Sequence, residues 1–358
     1  MMHQERDRVM KDPGLSGVFV NPKTGDIWSE GDVYTFPSLG RTLRAIALNG
    51  VKEFYEGETG QNLVKDIQAA GGIITMEDMM NYRVQWEAPI THRLKNLGYT
   101  LISSPPPGSG AILASIMGVM DAYLPTPMDR HRPLAWHRFI EACKFGYATR
   151  TEMGDWNAPE IRDYVKEIVK NLTSQAWVDH VKSQIDDSKT YQDPRHYGAK
   201  TSLTEDHGTC HHSFLSPDGD AVSVTASVNL IWGCKFMSPS TGIIMNNQMD
   251  DFASPNITSA YDVPPSPNNF IAPGKRPMSS MSTTIVVDDR GRVVAVAGAS
   301  GGTKIITATA QVLFRMFYLG QNVKEAVDAR RLHHQLFPMN LNYEEGITTV
   351  SSSFNLSL

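Results

Sequence analysis

The segment EDHGTCHHSFLS, residues 205–216, concentrates side chains that could do chemistry. Four of them are competent metal ligands: His207, Cys210, His211 and His212. Tetrahedral zinc sites usually draw their ligands from spaced positions, such as Cys-x-x-Cys, on separate elements. In a strand, successive side chains also point to opposite faces, so His211 would face away from both of its neighbours. Metal binding is therefore the weakest functional hypothesis for this segment.

The neighbouring residues Gly208 and Thr209 offer a different chemistry. A threonine hydroxyl is a poor nucleophile unless a base lies within hydrogen-bonding reach. If the chain is cut between these two residues, the new α-amine of Thr209, whose ordinary pKa is near ~8, becomes that base. The glycine tolerates the strained backbone that an attack by Thr209 Oγ1 on the preceding carbonyl requires. Gly-Thr pairs are common, so this hypothesis depends on the rest of the sequence.

Three other segments could complete such a site. Residues 298–302, GASGG, lie between a predicted strand and a predicted helix. Their backbone amides could form an oxyanion hole. A tight turn alone would also explain the glycines. Residues 246–251 gather amides and carboxylates, and Ser279 and Ser280 follow a proline-rich loop. Each alone is typical of a cap or a turn. Together they would suit a ligand that carries both an ammonium and a carboxylate group.

The composition is that of a globular protein with a large core. The 358 residues are 41% hydrophobic and 20% charged. The net charge of -5 supplies no positive field that would attract nucleic acid, so we expect a small-molecule partner. The longest apolar run, residues 111–120, is too short to cross a bilayer, and the opening MMHQERDRVMKDPG lacks the apolar core of a signal peptide. Three cysteines fit neither a disulfide framework nor a metal-binding pair: Cys143, Cys210 and Cys234.

The first half of the chain predicts helices with short strands between them. Thr75 and Asp78 form a capping box that should begin a helix. Residues 134–150 place apolar side chains three and four positions apart, which is typical of one buried helix face. Residues 161–184 predict two more amphipathic helices. The polar span 186–207 has neither a helical nor a strand period and predicts an exposed linker.

The second half predicts hairpins. Residues 213–233 alternate around a Pro-Asp-Gly-Asp turn, and residues 284–298 repeat the pattern around Asp-Arg-Gly. Between them, residues 253–277 predict a long loop and a candidate lid, and helices follow at 305–319 and 323–332. Antiparallel hairpins with helices grouped around them indicate an α+β layered sandwich rather than a parallel sheet.

These segments together resemble a known family. From Gly208 to Leu332 the chain is similar to the small subunit of γ-glutamyltransferases, also called γ-glutamyl transpeptidases or glutathione hydrolases, which are N-terminal nucleophile hydrolases. The matching segments are GTCH, SPSTGIIMNNQMDDFASP, VPPSPNNFIAPGKRPMSSM, GASGGTKIITATA and ARRLHHQLFP. The first half resembles the large subunit in FYEG, DIQAAGGIITMEDMMNY, SSPPPGSGAI and WHRFIEACKFGYATRTEMGD. The resemblance implies an αββα sandwich over nearly the whole chain.

The resemblance also implies a self-cleaved nucleophile. Thr209 would be both the autoprocessing residue and the catalytic nucleophile, cut from Gly208 into parts of a large subunit (residues 1–208) and a small subunit (residues 209–358). Ser227 stands where the family usually has a second threonine that hydrogen-bonds the nucleophile, and it keeps the hydroxyl while losing the methyl that fixes the rotamer. Gly301 and Gly302 match the oxyanion-hole glycines.

The family's substrate-binding positions can be assigned in the same way. Asn229, Gln248 and Asp251 would hold the α-amino group, and Ser279 and Ser280 would bind the α-carboxylate. Tyr261 lies in the loop that partly covers the site. The implied reaction transfers the γ-glutamyl group of glutathione and related compounds through an acyl-threonine to water, amino acids or dipeptides. It requires no metal or organic cofactor, and the processed subunits would form a heterodimer.

The chain also departs from the family. The family's large subunit extends further at its N-terminus and carries there an arginine that grips the α-carboxylate, which no residue here matches. After Phe337 the sequence no longer follows the small subunit, so we expect a chain truncated at both ends. A non-catalytic family fragment, with a binding role or none, is therefore the second hypothesis.

The family implies a location outside the cell. Full-length members normally begin with a membrane anchor or a signal, and we expect them to act at the cell surface or extracellularly. Three glycosylation sequons add weak evidence for the secretory pathway: those at Asn171, Asn256 and Asn355.

Overall fold

The computed structural model describes residues 5–202, 208–256 and 264–347. Contacts divide the chain into two compact units, of which the first comprises Met1–Trp86 and Val228–Gln248. The second comprises Glu87–Ser227 and Met249–Leu358. We call them the first unit and the second unit.

The first unit is mainly helical. Its regular elements are α1 (Arg6–Lys11), α2 (Pro13–Phe19), β1 (Val20–Asn21), β2 (Asp26–Ile27), α3 (Pro37–Asn49), α4 (Lys52–Tyr55), α5 (Glu58–Ala69) and α6 (Met76–Asn81). β1 and β2 pair in an antiparallel manner, and a small core forms where Leu15, Phe19 and Met237 pack together. As predicted, Thr75 begins α6 with a capping box, in which its hydroxyl accepts the Asp78 amide and the Asp78 side chain accepts the Thr75 amide.

One carboxylate of the first unit fixes a distant loop. Asp66, on α5, accepts hydrogen bonds on Oδ2 from the hydroxyls of Ser238 and Ser240, each at 2.5 Å, and from the Ser240 amide at 3.0 Å. Burial raises the pKa of Asp66, but the bonds from these two serines outweigh it, so that the net shift is downward. The ionised carboxylate therefore holds the SPSTG loop against α5.

The second unit contains a larger set of helices and strands. They are β3 (Ile90–Leu94), β4 (Tyr99–Ser103), α7 (Gly110–Tyr123), α8 (Pro133–Arg150), α9 (Arg162–Leu172), α10 (Gln175–Gln184), β5 (Cys210–Leu215), β6 (Ala221–Ala226), β7 (Thr284–Val287), β8 (Val293–Ala297), α11 (Lys304–Phe317), α12 (Val323–Asp328), β9 (Leu332–His333) and β10 (Asn342–Tyr343). Among the described helices, α7 to α12 included, none is long and apolar enough to span a membrane.

A four-stranded antiparallel sheet organises the second unit. Its order is β3-β4-β7-β8, with Leu101 paired to Val286 and Val286 to Ala295. The side chains of Leu101 and Val286 are completely buried in the core that α7, α8 and α11 help to form. α7 is buried on every side from Gly110 to Asp121, since it packs against the sheet and other helices at once.

The β5–β6 hairpin packs on β7 and β8. Ser213 donates to the Val296 carbonyl and Ser223 to the Ala297 carbonyl, both at 3.2 Å, while the Thr284 amide donates to Ser223 Oγ. All pairings between these strands are antiparallel. The predicted α+β layered architecture is thus confirmed, as are both predicted hairpins.

The prediction of an exposed linker at residues 186–207 was wrong for part of this span. Tyr197 is only 2% exposed and its hydroxyl donates to Glu141 Oε2 at 2.9 Å, beside the buried ammonium of Lys144. The Tyr197 ring packs edge to face against Phe145 of α8, with a centroid distance of 5.0 Å. A buried ion pair with several hydrogen bonds therefore anchors a segment that has no periodicity of its own.

Two predicted element ends were also wrong. The first hairpin's second strand ends at Ala226 instead of continuing to residue 233, since the backbone turns at Asn229 and Trp232, whose φ angles are 67° and 65°. The last helix ends at Asp328, because Leu332 belongs to β9. There its amide and carbonyl bond the Gln311 side chain.

Candidate active site

The junction between Gly208 and Thr209 has a strained backbone. The φ angles are 67° at Gly208 and 124° at Thr209, which immediately precedes β5. A positive φ is easy for glycine but costs a β-branched residue on the order of 1–3 kcal/mol. Strain is thus stored at the peptide bond that the sequence predicts to be cut.

The carbonyl oxygen of Gly208 lies between two backbone donors. The amides of Gly301 and Gly302 each approach it with an N···O distance of 3.4 Å. The φ angle is 122° at Gly301 and 60° at Gly302. Residues with a Cβ rarely adopt a positive φ, and least of all the value at Gly301. α11 begins at Lys304, so the positive end of its dipole adds to the two amides. The GASGG segment thus forms a tight turn, and two of its amides face the Gly208 carbonyl, as an oxyanion hole would require.

Ser227 lies across the hairpin from Thr209. The register pairs Cys210 with Ala226, and its extension by one residue places Thr209 opposite Ser227. Side chains directly opposite in an antiparallel pair have Cβ atoms about 4.5–5.5 Å apart. Ser227 is partly buried and keeps the hydroxyl that a supporting role requires.

His211 contacts the partner strand β6 and Gly298. Its Nδ1 is 2.8 Å from Thr225 Oγ1 and its Nε2 is 3.0 Å from Ser213 Oγ. The ring packs so closely on Gly298 that a Cβ there would overlap it. Burial lowers the pKa of His211, and the neighbouring His212 adds to the lowering. The ring thus links the strand after Thr209 to the turn that carries the Gly301 and Gly302 amides.

The other predicted metal ligands do not join it. Cys210 and His212 are exposed, as expected for the opposite face of the strand, and His207 lies outside the described residues. Across residues 5–202, 208–256 and 264–347, no three histidine, cysteine, aspartate or glutamate side chains are grouped so as to bind a metal.

Ser279 and Ser280 are held by residues of the first half of the chain. Arg150, at the end of α8, donates from Nη2 to Ser280 Oγ at 2.9 Å and from Nε to Ser109 Oγ at 3.2 Å. Ser109 Oγ in turn donates to the Ser279 carbonyl at 2.6 Å, and the Ser279 amide donates to the Pro107 carbonyl. Arg150 is 4% exposed and Ser280 completely buried, so a guanidinium lies directly behind the predicted carboxylate-binding pair.

Asp251 is connected to the same pair through Asn269. The Asn269 side chain donates to the Asp251 carbonyl at 2.7 Å and accepts the Met278 amide at 3.0 Å. Met278 directly precedes Ser279, and both Asp251 and Asn269 are buried. One asparagine side chain therefore joins the Asp251 backbone to the residue that precedes Ser279.

Asn229 and Gln248 lie in the first unit. Asn229 is 2% exposed, has a φ angle of 67° and donates from Nδ2 to the Asn247 carbonyl at 3.2 Å. The Gln248 amide donates to Asn246 Oδ1 at 2.9 Å. These contacts order the MNNQ turn within that unit. Tyr261, the predicted lid residue, lies outside the described residues.

Sequence reasoning missed two residues of this site. Arg150 is part of the large-subunit resemblance, but nothing in its spacing connects it to a serine 130 positions later. Asn269 follows another asparagine in a proline-rich loop, which is typical of a turn. A buried arginine or asparagine must find partners, yet the sequence does not reveal which ones.

The fold is that of the N-terminal nucleophile hydrolases. The solved structure of cephalosporin acylase from Bacillus halodurans superposes with a TM-score of 0.73 at 22% identity, covering 93% of this chain and 56% of that one. At that identity the likeness concerns the fold alone.

The sequence comparisons define the family. Residues 1–355 match the model of the gamma-glutamyltranspeptidase family, to which the chain belongs. It is 44% identical over 348 residues to Scoloptoxin SSD14 of Scolopendra dehaani, covering 96% of this chain and 59% of that protein. It is 42% identical over 358 residues to Glutathione hydrolase 2 of Arabidopsis thaliana, covering 99% of this chain and 60% of that protein. The chain thus spans about three fifths of the length of these relatives.

Proposed function

We propose that this chain acts in a γ-glutamyl transpeptidase and glutathione hydrolase that activates itself by cutting before Thr209. Family membership and the name of the Arabidopsis relative support the substrate class, a γ-glutamyl amide such as glutathione. The observation that carries the proposal is the Gly208 carbonyl oxygen at 3.4 Å from both glycine amides. The bond to be cut is already polarised by two donors.

The proposed self-cleavage follows from this arrangement. Thr209 Oγ1 attacks the Gly208 carbonyl carbon while its proton passes to a base, and the Gly301 and Gly302 amides stabilise the oxyanion. The carbon–nitrogen bond then breaks, the Thr209 nitrogen takes up a proton, and an ester joins Gly208 to Thr209 Oγ1. Water hydrolyses the ester, leaving the Gly208 carboxylate and a Thr209 with a free hydroxyl and a free α-amine. The strain at Thr209 favours the first step.

The same groups would then act on substrate. Departure of the Gly208 carboxylate frees the two amides for the γ-carbonyl oxygen of a γ-glutamyl compound. Thr209 Oγ1 attacks that carbonyl with its own α-amine as base, and the amine of the substrate leaves with the proton. The acyl-threonine passes its γ-glutamyl group to water, an amino acid or a dipeptide. The large and small subunits would stay together as a heterodimer.

The binding groups fit a γ-glutamyl donor. In this proposal Ser279 and Ser280 receive the α-carboxylate, with the Arg150 guanidinium directly behind them adding positive charge. Asp251 pairs with the α-ammonium group. The bonds described for Arg150 go to the hydroxyls of Ser109 and Ser280, so it would act on the carboxylate through these serines. The non-catalytic hypothesis predicts instead that the chain stays intact.

Substitution of one glycine tests the oxyanion hole. Gly301→Ala should slow self-cleavage about 100-fold or more, since a Cβ at a φ of 122° forces the donor amide to move. Gly291→Ala is the matched control, since it introduces a Cβ at a φ of 75° in the β7–β8 turn with open space around it. Band intensities on denaturing gels give both rates. Equal rates for the two variants would contradict the role of Gly301.

We further propose that the complete protein acts at the cell surface or outside the cell. Asn171 and Asn256, which begin two of the sequons, are both exposed, as a glycan would require, while Asn355 lies outside the described residues. Enzymatic removal of N-linked glycans from the protein secreted by eukaryotic cells should increase its gel mobility. Unchanged mobility would count against passage through the secretory pathway.

A further inference from the structure

Beyond the residues that would contact substrate, we propose that Tyr147, Thr303 and Gln335 position the oxyanion-hole turn of Gly301 and Gly302. This inference rests on the proposed function, because it assigns these three residues to the rate of the reaction at Thr209. They are positioning residues, since they act on the reaction through the turn.

Thr303 is the point at which the turn is held. It directly follows Gly302, is 6% exposed and occupies the N-cap position of α11. Threonine at an N-cap usually accepts a hydrogen bond from the first turn of its helix, but Thr303 forms no such bond. Its hydroxyl instead donates to Gln335 Oε1 at 2.6 Å, and its carbonyl accepts a hydrogen bond from the Tyr147 hydroxyl. Both the side chain and the main chain of Thr303 are therefore hydrogen-bonded to other segments of the chain.

The Gln335 side chain is itself fixed in orientation. Its Nε2 donates to the Phe337 carbonyl at 2.7 Å, and a carbonyl can only accept, so Oε1 must face the other way. Oε1 then accepts from Thr303 and from His333 Nε2, the latter at 2.8 Å. His333 therefore carries a proton on Nε2. Gln335 is 5% exposed, so these bonds form away from water, where they are strongest.

The His333 ring closes the cluster. Its Nδ1 is 2.7 Å from Thr307 Oγ1, on the first turn of α11, and its ring meets the ring of Tyr147 edge to face with a centroid distance of 6.2 Å. Tyr147 is completely buried. The start of α11 is thus held by side chains whose own rotamers are locked by packing, which is the arrangement that precise positioning of a site requires.

The cluster also bridges the predicted cut. Tyr147 belongs to α8, before Gly208, while Thr303 and Gln335 follow Thr209 in the sequence. After cleavage the turn would remain held from both fragments. A displacement of about 1 Å at a catalytic group can cost as much as 100-fold in rate, so bonds outside the site can control the reaction.

Removal of the Thr303 hydroxyl tests the proposal. In the full chain, Thr303→Val should slow self-cleavage on the order of tenfold, less than the 10²–10³ that loss of a whole oxyanion donor costs. Thr303→Ser, which keeps the hydroxyl, should restore a rate within about twofold of wild type. Tyr147→Phe, which keeps the ring, should slow cleavage on the order of tenfold as well. Wild-type rates in both Thr303→Val and Tyr147→Phe would overturn the proposal.

The chain offers a matched control on the same helix. Thr309 is 2% exposed and its hydroxyl has no hydrogen-bond partner among the described residues. Thr309→Val therefore removes a buried hydroxyl from α11 without touching the turn, and it should cleave like wild type. Slowing in Thr309→Val equal to that in Thr303→Val would show that any loss of a hydroxyl from this helix suffices, and would also overturn the proposal.

A second measurement separates this inference from the proposed function. Amide hydrogen exchange of the peptide covering residues 298–306, measured in intact Thr209→Ala chains, should be several-fold faster with Thr303→Val than with Thr309→Val. Equal exchange would refute the positioning role even if the chain cleaves. If the wild-type chain never cleaves, the proposed function fails, and the exchange result alone decides whether the cluster holds the turn.

Discussion

Acid should destabilise this protein through His334, a residue of the buried segment that follows β9. The ring is 3% exposed, and burial lowers its pKa from 6.5 to about 3, with further lowering from Lys144 and His333. The geometry agrees with this direction. The Leu336 amide donates to Nδ1 at 3.1 Å, so the neutral ring carries its proton on Nε2, and a second proton on Nδ1 would face an N–H group.

The size of the effect follows from proton linkage. The folded pKa lies below the unfolded one, so the unfolded chain binds more protons and stability falls as the pH decreases from 6.5 towards 3. With 1.36 kcal/mol for each pKa unit, the free energy of unfolding should lose about 2 kcal/mol at pH 5 and about 3 kcal/mol at pH 4 through this residue. Above pH 6.5 the full stability is present.

Urea unfolding of Thr209→Ala chains between pH 7.5 and pH 5, followed by circular dichroism, measures this loss at constant covalent structure. In His334→Asn the amide oxygen can accept the Leu336 hydrogen bond and does not titrate. Its stability should therefore fall by about 2 kcal/mol less over this range. His131→Asn, at an exposed histidine, is the control for the substitution itself. Parallel stability curves for wild type and His334→Asn would refute the reasoning.

Two further predictions concern packing and a half-buried carboxylate. Gly118→Ala should destabilise the chain by about 1–3 kcal/mol, because the new Cβ would overlap His92 Nε2, whereas Gly40→Ala, with open space around it, should be neutral or stabilising. Thermal unfolding checks both, and an unchanged Tm for Gly118→Ala would contradict the packing of α7 on β3. Asp66→Asn should lower the free energy of unfolding, measured in urea, by about 1–3 kcal/mol, because an amide cannot accept all three hydrogen bonds made to Oδ2. Asp218→Asn, in the exposed β5–β6 turn, is the control. Equal stability of these two variants would argue against the loop anchor.

Local features of the fold were predictable from the sequence. The capping box at Thr75 and the two hairpins depend on residues close in sequence, so their signals are complete within a short window. The sheet to which each hairpin belongs was not predictable. The β7–β8 hairpin joins β3 and β4, whereas β5–β6 forms a separate pair, although both alternate in the same way. That difference is decided by long-range pairing with Ser103 and its neighbours.

The site was predictable only in part. Thr209, Gly301 and Gly302 could be assigned from the resemblance because their segments keep the family's order and spacing. Arg150 bonds Ser280, 130 positions later, and Gln335 bonds Thr303, 32 positions earlier, so neither contact has a signal in the local sequence. The sequence indicates that such buried polar groups need partners, but only the fold determines which partner each one meets.

The central claim is that the Gly208 carbonyl is held for attack by Thr209. Mass spectrometry of the purified chain over time tests it most directly. We predict that the 39.6 kDa chain converts into two fragments, the second beginning Thr-Cys-His-His, and that Thr209→Ala remains intact under the same conditions. A folded wild-type chain that stays whole, or one cut at any other bond, would contradict the account.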